Sequence, residues 1–135
     1  MGISIADAAY VAGLFDGEGS VYFKRMKQKK HQRPGKPIHN VMVIRMEIAM
    51  TDKDTIKWCH ELFGCGAFGE RKVKSGYKRQ WRWRVAHRDA LYVCKIIWPY
   101  AQVKLHKIEQ IIDYYDPEYS DHNVISLEDY KNEKR

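Results

Sequence analysis

The clearest alternation in the chain runs over residues 41–50. Met42, Ile44, Met46, Ile48 and Met50 fall on one side, and Val43, Arg45, Glu47 and Ala49 on the other. A period of two is that of a half-buried strand and not of a helix. Residues 20–28 are strand-like as well, with Val21 and Phe23 toward a core and Tyr22, Lys24, Met26 and Gln28 away from it. A second pair of strands is expected over residues 67–74 and 77–86, around a Ser75-Gly76 turn. In its return strand Trp81, Trp83 and Val85 alternate with Gln80, Arg82 and Arg84.

Helical periodicity separates and follows these pairs. Thr51-Asp52 starts a helix that runs to about Phe63, with Ile56, Cys59, Leu62 and Phe63 as its apolar stripe and Gly64 as its stop. From Asp89 onward Leu91, Val93, Cys94, Ile97 and Trp98 share a face, until Pro99 breaks the helix. A further helix is expected over residues 100–115, with Val103, Ile108, Ile111 and Ile112 as its apolar set and Asp116-Pro117 as its end. Residues 117–135 form a polar tail, leaving residues 1–116 as the single domain.

The first helix is of another kind. Ser4 is a candidate N-cap with Asp7 three residues on. Ala9, Gly13 and Gly17 recur every four residues, so they line one face that carries no bulk. Glycine in a helix interior costs about 1 kcal/mol relative to alanine, so Gly13 needs a packing reason: close approach of another backbone. Gly17 and Gly19 are expected at unusual backbone angles where the helix stops, with Glu18 held between them. The element order is then α-β-β-α-β-β-α, an α+β fold whose sheet packs helices on one face and leaves the other, basic face open.

Charge sharpens this picture. The 135 residues carry a net charge of +7, which points to a polyanionic partner. Like charges side by side on a sheet face repel, so the row Arg82, Arg84 and, from the neighbouring strand, Arg71 suggests an anionic ligand. No apolar run is long enough for a transmembrane helix and no secretory pattern opens the chain, so neither a membrane nor secretion is expected. Three cysteines without paired spacing suit buried thiols in a reducing, intracellular setting. A zinc site from Cys59, His60 and Cys65 lacks an evident fourth ligand.

Residues Val11-Ala12-Gly13-Leu14-Phe15-Asp16-Gly17-Glu18-Gly19 resemble the signature of the LAGLIDADG homing endonucleases, and the element order over about residues 4–115 is similar to that family's. The resemblance implies the αββαββα homing-endonuclease fold, with an antiparallel sheet as a DNA-binding saddle. It implies that two such helices pack across a dyad, with Ala9, Ala12, Gly13 and Asp16 at the interface of a homodimer, since one chain holds one motif. It also implies that Glu18 is the metal ligand and catalytic acid, assisted by the Gly17 carbonyl. The run from Trp98 to Lys104 resembles the late segment in which a Pro is followed five residues on by a Lys beside the active site, which implies a catalytic role for Lys104. Asp52 is the counterpart of a polar catalytic-site position, or merely caps the helix that follows it.

The chemistry so implied is hydrolysis of both DNA strands. Hard divalent cations activate a water and stabilise the leaving oxygen; Mg²⁺ is expected, with Mn²⁺ or Ca²⁺ able to take its place. No small-molecule substrate is expected. On the open face Arg45, Arg71, Arg82 and Arg84 are candidate readers of guanine and Gln80 of adenine, with Lys24, Gln28 and Glu47 as further base readers. Lys29, Lys30, Arg33 and Lys36, on a loop broken by Pro34, Gly35 and Pro37, are candidate phosphate contacts. The expected function is a sequence-specific endonuclease acting on a long near-palindromic site. An intron RNA maturase or a non-cleaving DNA-binding regulator of the same fold is the alternative. A third reading, an RNA binder that stacks bases on Tyr77, Trp81 and Trp83, requires the tryptophans to be exposed, whereas the alternation puts Trp81 and Trp83 in the core.

Overall fold

A computed structural model of the chain describes residues 2–27 and 40–119. Helix α1 (Ile5–Glu18) leads into strand β1 (Gly19–Lys27); β2 (Asn40–Met50) and α2 (Lys53–Phe63) follow. Then come β3 (Ala67–Arg71), β4 (Gln80–Ala86) and α3 (His87–Ile97). A short 3₁₀ turn (Trp98–Tyr100) and α4 (Leu105–Tyr115) complete the order. The four strands form one antiparallel sheet in the order β1-β2-β4-β3. This is the expected αββαββα arrangement with one further helix.

The alternation seen in the sequence sorts the two faces as expected. Ile44, Met46, Ile48, Trp83 and Val85 are buried beneath the helices. Val11, Ala12 and Phe15 of α1, Ile56 and Cys59 of α2, Val93 and Ile97 of α3, and Ile108, Ile111 and Ile112 of α4 close over them. Each fully buried aliphatic or aromatic side chain contributes roughly 1.5–3 kcal/mol. The opposite face carries Tyr22, Lys24, Arg45, Glu47, Gln80, Arg82 and Arg84, none of them covered by a helix.

Local signals act where they were read. Ser4 Oγ accepts from the Asp7 N–H at 3.1 Å and caps α1. Asp52 Oδ1 accepts from the Thr55 N–H at 3.3 Å and caps α2. That helix stops at Gly64, which adopts φ 68°, a left-handed conformation that glycine takes without steric cost. Gly17 and Gly19, by contrast, do not have unusual angles. Gly17 is helical, and Gly19 is extended at φ −84°. What excludes a side chain at Gly19 is contact, since a Cβ there would collide with the ring and carbonyl of Phe15.

Three boundaries differ from the expectation. The second hairpin leaves the sheet early, so residues 72–79 extend beyond β3 and β4. Helix α3 begins at His87 rather than Asp89, directly from β4, with His87 at φ 51°. Helix α4 begins at Leu105 rather than residue 100, and Val103, expected in its apolar set, is 69% exposed. Tyr119, in the segment expected as tail, packs edge-on against Trp98 with ring centroids 5.7 Å apart. No helix among the described residues is long and apolar enough to cross a membrane.

Candidate active site and nucleic-acid interface

The last turn of α1 is where the candidate catalytic residues meet. A helix leaves its final carbonyls without intrahelical donors. Here the Gly19 N–H closes on the Phe15 carbonyl, and Lys104 Nζ donates to the Asp16 carbonyl at 2.8 Å. A cation at this end is favoured by the helix dipole as well as by the bond itself. The Asp16 carboxylate reaches the same segment. It accepts from the Gln102 N–H at 2.9 Å and from the Lys104 N–H at 3.0 Å. Glu18, two residues beyond Asp16, is exposed and ends the helix. Glu18 and Lys104 therefore stand at one end of α1, with Asp16 fixing the second relative to the first.

That clamp explains why α4 starts late. The N–H groups of Gln102 and Lys104 are tied to α1 and that of Ala101 to the Ile97 carbonyl, so the hydrogen bonding of α4 begins only after them. Asp16, expected at a two-fold interface, makes its bonds within its own chain. Removing them has a measurable consequence. Hydrogen bonds to a charged group contribute about 1.5–3 kcal/mol each, and less where solvent reaches them. Asp16→Ala is expected to lower unfolding stability by about 2 kcal/mol in urea titrations, and Asp16→Asn by less. A loss within about 0.5 kcal/mol, the range of a neutral surface change, would show the clamp to be idle.

Ala12 likewise does not lie on an open face. It is fully buried in the chain's own core, as are Val11 and Phe15. The uncovered side of α1 is instead Ala6, Tyr10, Gly13 and Gly17, with Ala9 at its edge. A Cβ at Gly13 or Gly17 would meet nothing within 4 Å. The open side also carries Ile5, 72% exposed, and Tyr10, 56% exposed, although Tyr10 leans edge-on against Trp58 at 5.6 Å.

Metal binding can be judged from the donors. The chain offers one hard carboxylate at Glu18 and the carbonyl of Gly17 in the same last turn. Among the described residues no group of three or more His, Cys, Asp and Glu side chains could hold a metal ion. Oxygen donors of this type suit Mg²⁺, which keeps several waters and takes one or two carboxylates plus substrate phosphates. The residues thus fit half of such a site. Asp52, at the start of α2, serves as that helix's cap. The zinc grouping is not assembled. Burial pushes the Cys59 thiol up to about 11, and burial followed by the charge of Asp89 raises that of Cys65. His60 donates through Nε2 to the Gly66 carbonyl at 3.2 Å and stacks on Phe68.

The sheet gathers the candidate DNA-binding residues on one surface. The pairing of Tyr22 with Arg45 places the Arg45 guanidinium 4.5 Å from the Tyr22 ring, and Lys24 lies 5.7 Å from the same ring. Arg71 Nη1 donates to Gln80 Oε1 at 3.4 Å, which joins β3 to the same row. The row is not purely cationic, however. Glu47 sits opposite Arg84 in the ladder and pairs with it at 3.0 Å, with Arg82 at 3.7 Å. Gln28, Lys29, Lys30, Arg33 and Lys36 lie outside the described residues. Two contributions were missed by sequence reasoning: the Tyr22 ring under Arg45, signalled only by the shared face, and the backbone of Gln102 at the Asp16 clamp, for which no sequence signal exists.

The tryptophans belong to the other side. Trp83 is buried, stacks on Phe63 and donates through Nε1 to the Cys65 carbonyl at 2.9 Å. Trp81 stacks on Phe68 and is flanked by Lys53 and Arg79. Arg79 makes a fork with the Glu70 carboxylate at 2.8 Å through both donors, and this bond holds that carboxyl below its usual range. Neither indole lies on the open face, so the base-stacking RNA reading loses both tryptophans, and of its three rings Tyr77 alone is exposed, at 72%.

A two-layer α+β unit with an uncovered basic sheet, and a helix that ends in an exposed acid where a lysine is anchored, defines the class of fold. Solved structures then identify the fold. Homing endonuclease I-TnaI is similar over 96% of this chain and 86% of its own, with TM-score 0.58 and 17% identity. Homing endonuclease I-CvuI, solved with the I-CreI target in the presence of 2 mM Mg and with the DNA not cleaved, is similar over 83% of this chain and 71% of its own, with TM-score 0.57 and 17% identity. The I-LtrWI LAGLIDADG homing endonuclease, bound to target DNA, is similar over 98% of this chain but 45% of its own, with TM-score 0.58 and 17% identity. No protein-family model matches the sequence, and no curated protein matches it. The fold of this chain is that of the LAGLIDADG homing endonucleases.

Proposed function

We propose that this protein is a sequence-specific, metal-dependent DNA endonuclease that acts as a homodimer on a long, near-palindromic duplex site. The observation that carries the reading is the position of Glu18. It is an exposed acid at the end of a helix whose uncovered side is bare at its two glycines, Gly13 and Gly17, and Lys104 is anchored at that end. A second copy packed on that side would bring two Glu18 carboxylates together. One chain supplies too few oxygens for a divalent cation, whereas two chains and the phosphates of both strands supply enough. The bound cation would activate water and stabilise the leaving oxygen. Glu18, with the Gly17 carbonyl, would hold it, and Lys104 would sit beside the charge that develops on the phosphate. Asp52 is retained only as a residue near that end of β2, with capping as its evident task.

Recognition is assigned to the open sheet face, because a two-stranded ribbon fits the major groove. Arg45, Arg71, Gln80, Arg82 and Arg84 are its principal base readers and Lys24 a further one. Lys29, Lys30, Arg33 and Lys36 are assigned to phosphates and Gln28 to bases on sequence alone. Two such sheets related by a dyad would flank the cut across the minor groove. The extent of I-LtrWI, under half of which this chain matches, leaves room there for a second unit of this size. Residues 1–116 are taken as the nuclease unit and 117–135 as its tail. The three free cysteines, two of them buried, support a reducing intracellular setting.

The test is cleavage of a plasmid library carrying randomised palindromes, with Mg²⁺ and with EDTA, followed by sequencing of the cut ends. Metal-dependent ends centred on one long near-palindrome are expected. Retention of duplex on a filter with no cut under any divalent metal would replace this reading by the non-cleaving regulator or the maturase.

A further inference from the structure

A carboxylate in the middle of a surface built for DNA is unfavourable for affinity, since it repels the phosphates that dominate binding. Glu47 is such a group, on central strand β2, its side chain 16% exposed. On the ladder it lies between Ser20 of β1 and Arg84 of β4. Its contacts have a particular asymmetry. Oε1 accepts from Arg84 Nε at 3.3 Å and from Arg84 Nη2 at 3.0 Å, and is the atom that faces Arg82 at 3.7 Å. Oε2 takes part in none of these contacts, and no buried polar side-chain atom among the described residues lacks a partner, so Oε2 is open to solvent. A shallow depression lined by Ser20, Tyr22, Arg45, Glu47 and Arg84 opens at this point of the sheet.

The guanidinium of Arg84 shows the complementary half. Glu47 engages the edge formed by Nε and Nη2, which leaves the end-on edge, Nη1 with the second Nη2 proton, for another acceptor pair. Guanine presents such a pair at O6 and N7, and the cytosine opposite presents the N4 amine beside it. Arginine bonds guanine and a carboxylate accepts from cytosine N4.

We propose that Glu47 is a specificity-determining residue: its Oε1 fixes Arg84 for guanine while its Oε2 accepts from the N4 amine of the paired cytosine, so that each sheet reads one G·C pair at its centre. The proposal rests on the reading of the open face as a major-groove surface. It assigns Glu47 a cost in affinity that is offset by selectivity, because a carboxylate left facing any base without that amine is desolvated with no donor.

The experiment is a binding selection from a randomised duplex library in EDTA, with the unaltered protein, Glu47→Ala, Glu47→Gln and Arg84→Ala, alongside thermal melts of each. The unaltered protein is expected to prefer one G·C pair per half-site by about tenfold or more, the discrimination one good contact supplies. Glu47→Ala and Arg84→Ala should both flatten that same pair, and Glu47→Ala should bind random duplex more tightly. Glu47→Gln, which keeps the side-chain volume, should shift the pair toward adenine, since an amide offers a donor and an acceptor. An unchanged base profile in the Glu47 variants, with or without a lower melting temperature, overturns the proposal: the carboxylate would then only offset repulsion between Arg82 and Arg84. Flattening of different pairs by the Glu47 and Arg84 changes also overturns it. Failure of the unaltered protein to retain any duplex removes the DNA reading itself, and this assignment with it.

Discussion

Glu18→Gln is expected to reduce DNA cleavage by roughly a thousandfold or more while leaving duplex binding within a few-fold, because the several kcal/mol that a divalent cation supplies to phosphoryl hydrolysis is lost with its anionic ligand. Glutamine keeps the size of the side chain and the end of α1, so the fold has no reason to respond. The Glu18 side chain is solvent-exposed. The proposed reading assigns binding to the other surface, to Arg45, Arg71, Gln80, Arg82 and Arg84, which lie on the sheet and not on α1. The measurement is single-turnover cleavage of the selected site, with filter binding of the same duplex. Cleavage retained within tenfold would mean that the metal is held elsewhere, and the assignment of Glu18 would fall. Loss of cleavage together with binding would make Glu18 structural instead.

The two proposed activities would be separable because the fold keeps the residues assigned to them on different layers. The sheet supplies charges in a fixed register, 4.7–4.9 Å from strand to strand, which suits repeated contact with a groove. The end of α1 supplies one acid, one clamped lysine and a bare helix face. The Asp16 clamp ties the segment before α4 to α1, so that Lys104 cannot drift from the end of that helix without breaking bonds at 2.8–3.0 Å. Flexibility of a lysine side chain is large in entropy terms, and holding its backbone and its ammonium at once removes much of it before DNA arrives.

What the sequence disclosed followed from local physics. Alternation in β2 put Ile44, Met46 and Ile48 inside and Arg45 and Glu47 outside, because a strand has only two faces. Ser4, Asp52 and Gly64 marked helix ends since capping chemistry is local. What it did not disclose was long-range. Val103 fits the apolar set of an amphipathic helix, but on either side of it Gln102 and Lys104 donate to Asp16, far away in sequence, and the helix starts after them. Arg82 and Arg84 read as an unopposed cationic row, because no spacing rule reveals that Glu47 faces Arg84 across two strands. Ala12 was assigned to the motif's contact face with Gly13, though consecutive residues on a helix point 100° apart and Ala12 falls to the core side.

The second large effect concerns that bare face, and it has opposite signs for stability and for activity. Gly13→Leu places a strong helix former where glycine costs about 1 kcal/mol, in open space within the single chain. The isolated chain should therefore fold at least as well as before. Across a dyad, the same side chain would hold two α1 helices apart and separate the Glu18 pair, so cleavage should fall below detection. Light scattering at micromolar concentration should report a dimer for the unaltered protein and a monomer for Gly13→Leu. Urea midpoints provide an independent check. Stability that derives from association depends on protein concentration, so the midpoint of the unaltered protein should rise with concentration and that of Gly13→Leu should not. A Gly13→Leu protein that still sediments as a dimer and still cuts would place the two-fold contact elsewhere than on α1. A protein that is monomeric without any change at Gly13 yet cuts a full palindrome would remove the need for two copies of Glu18 altogether.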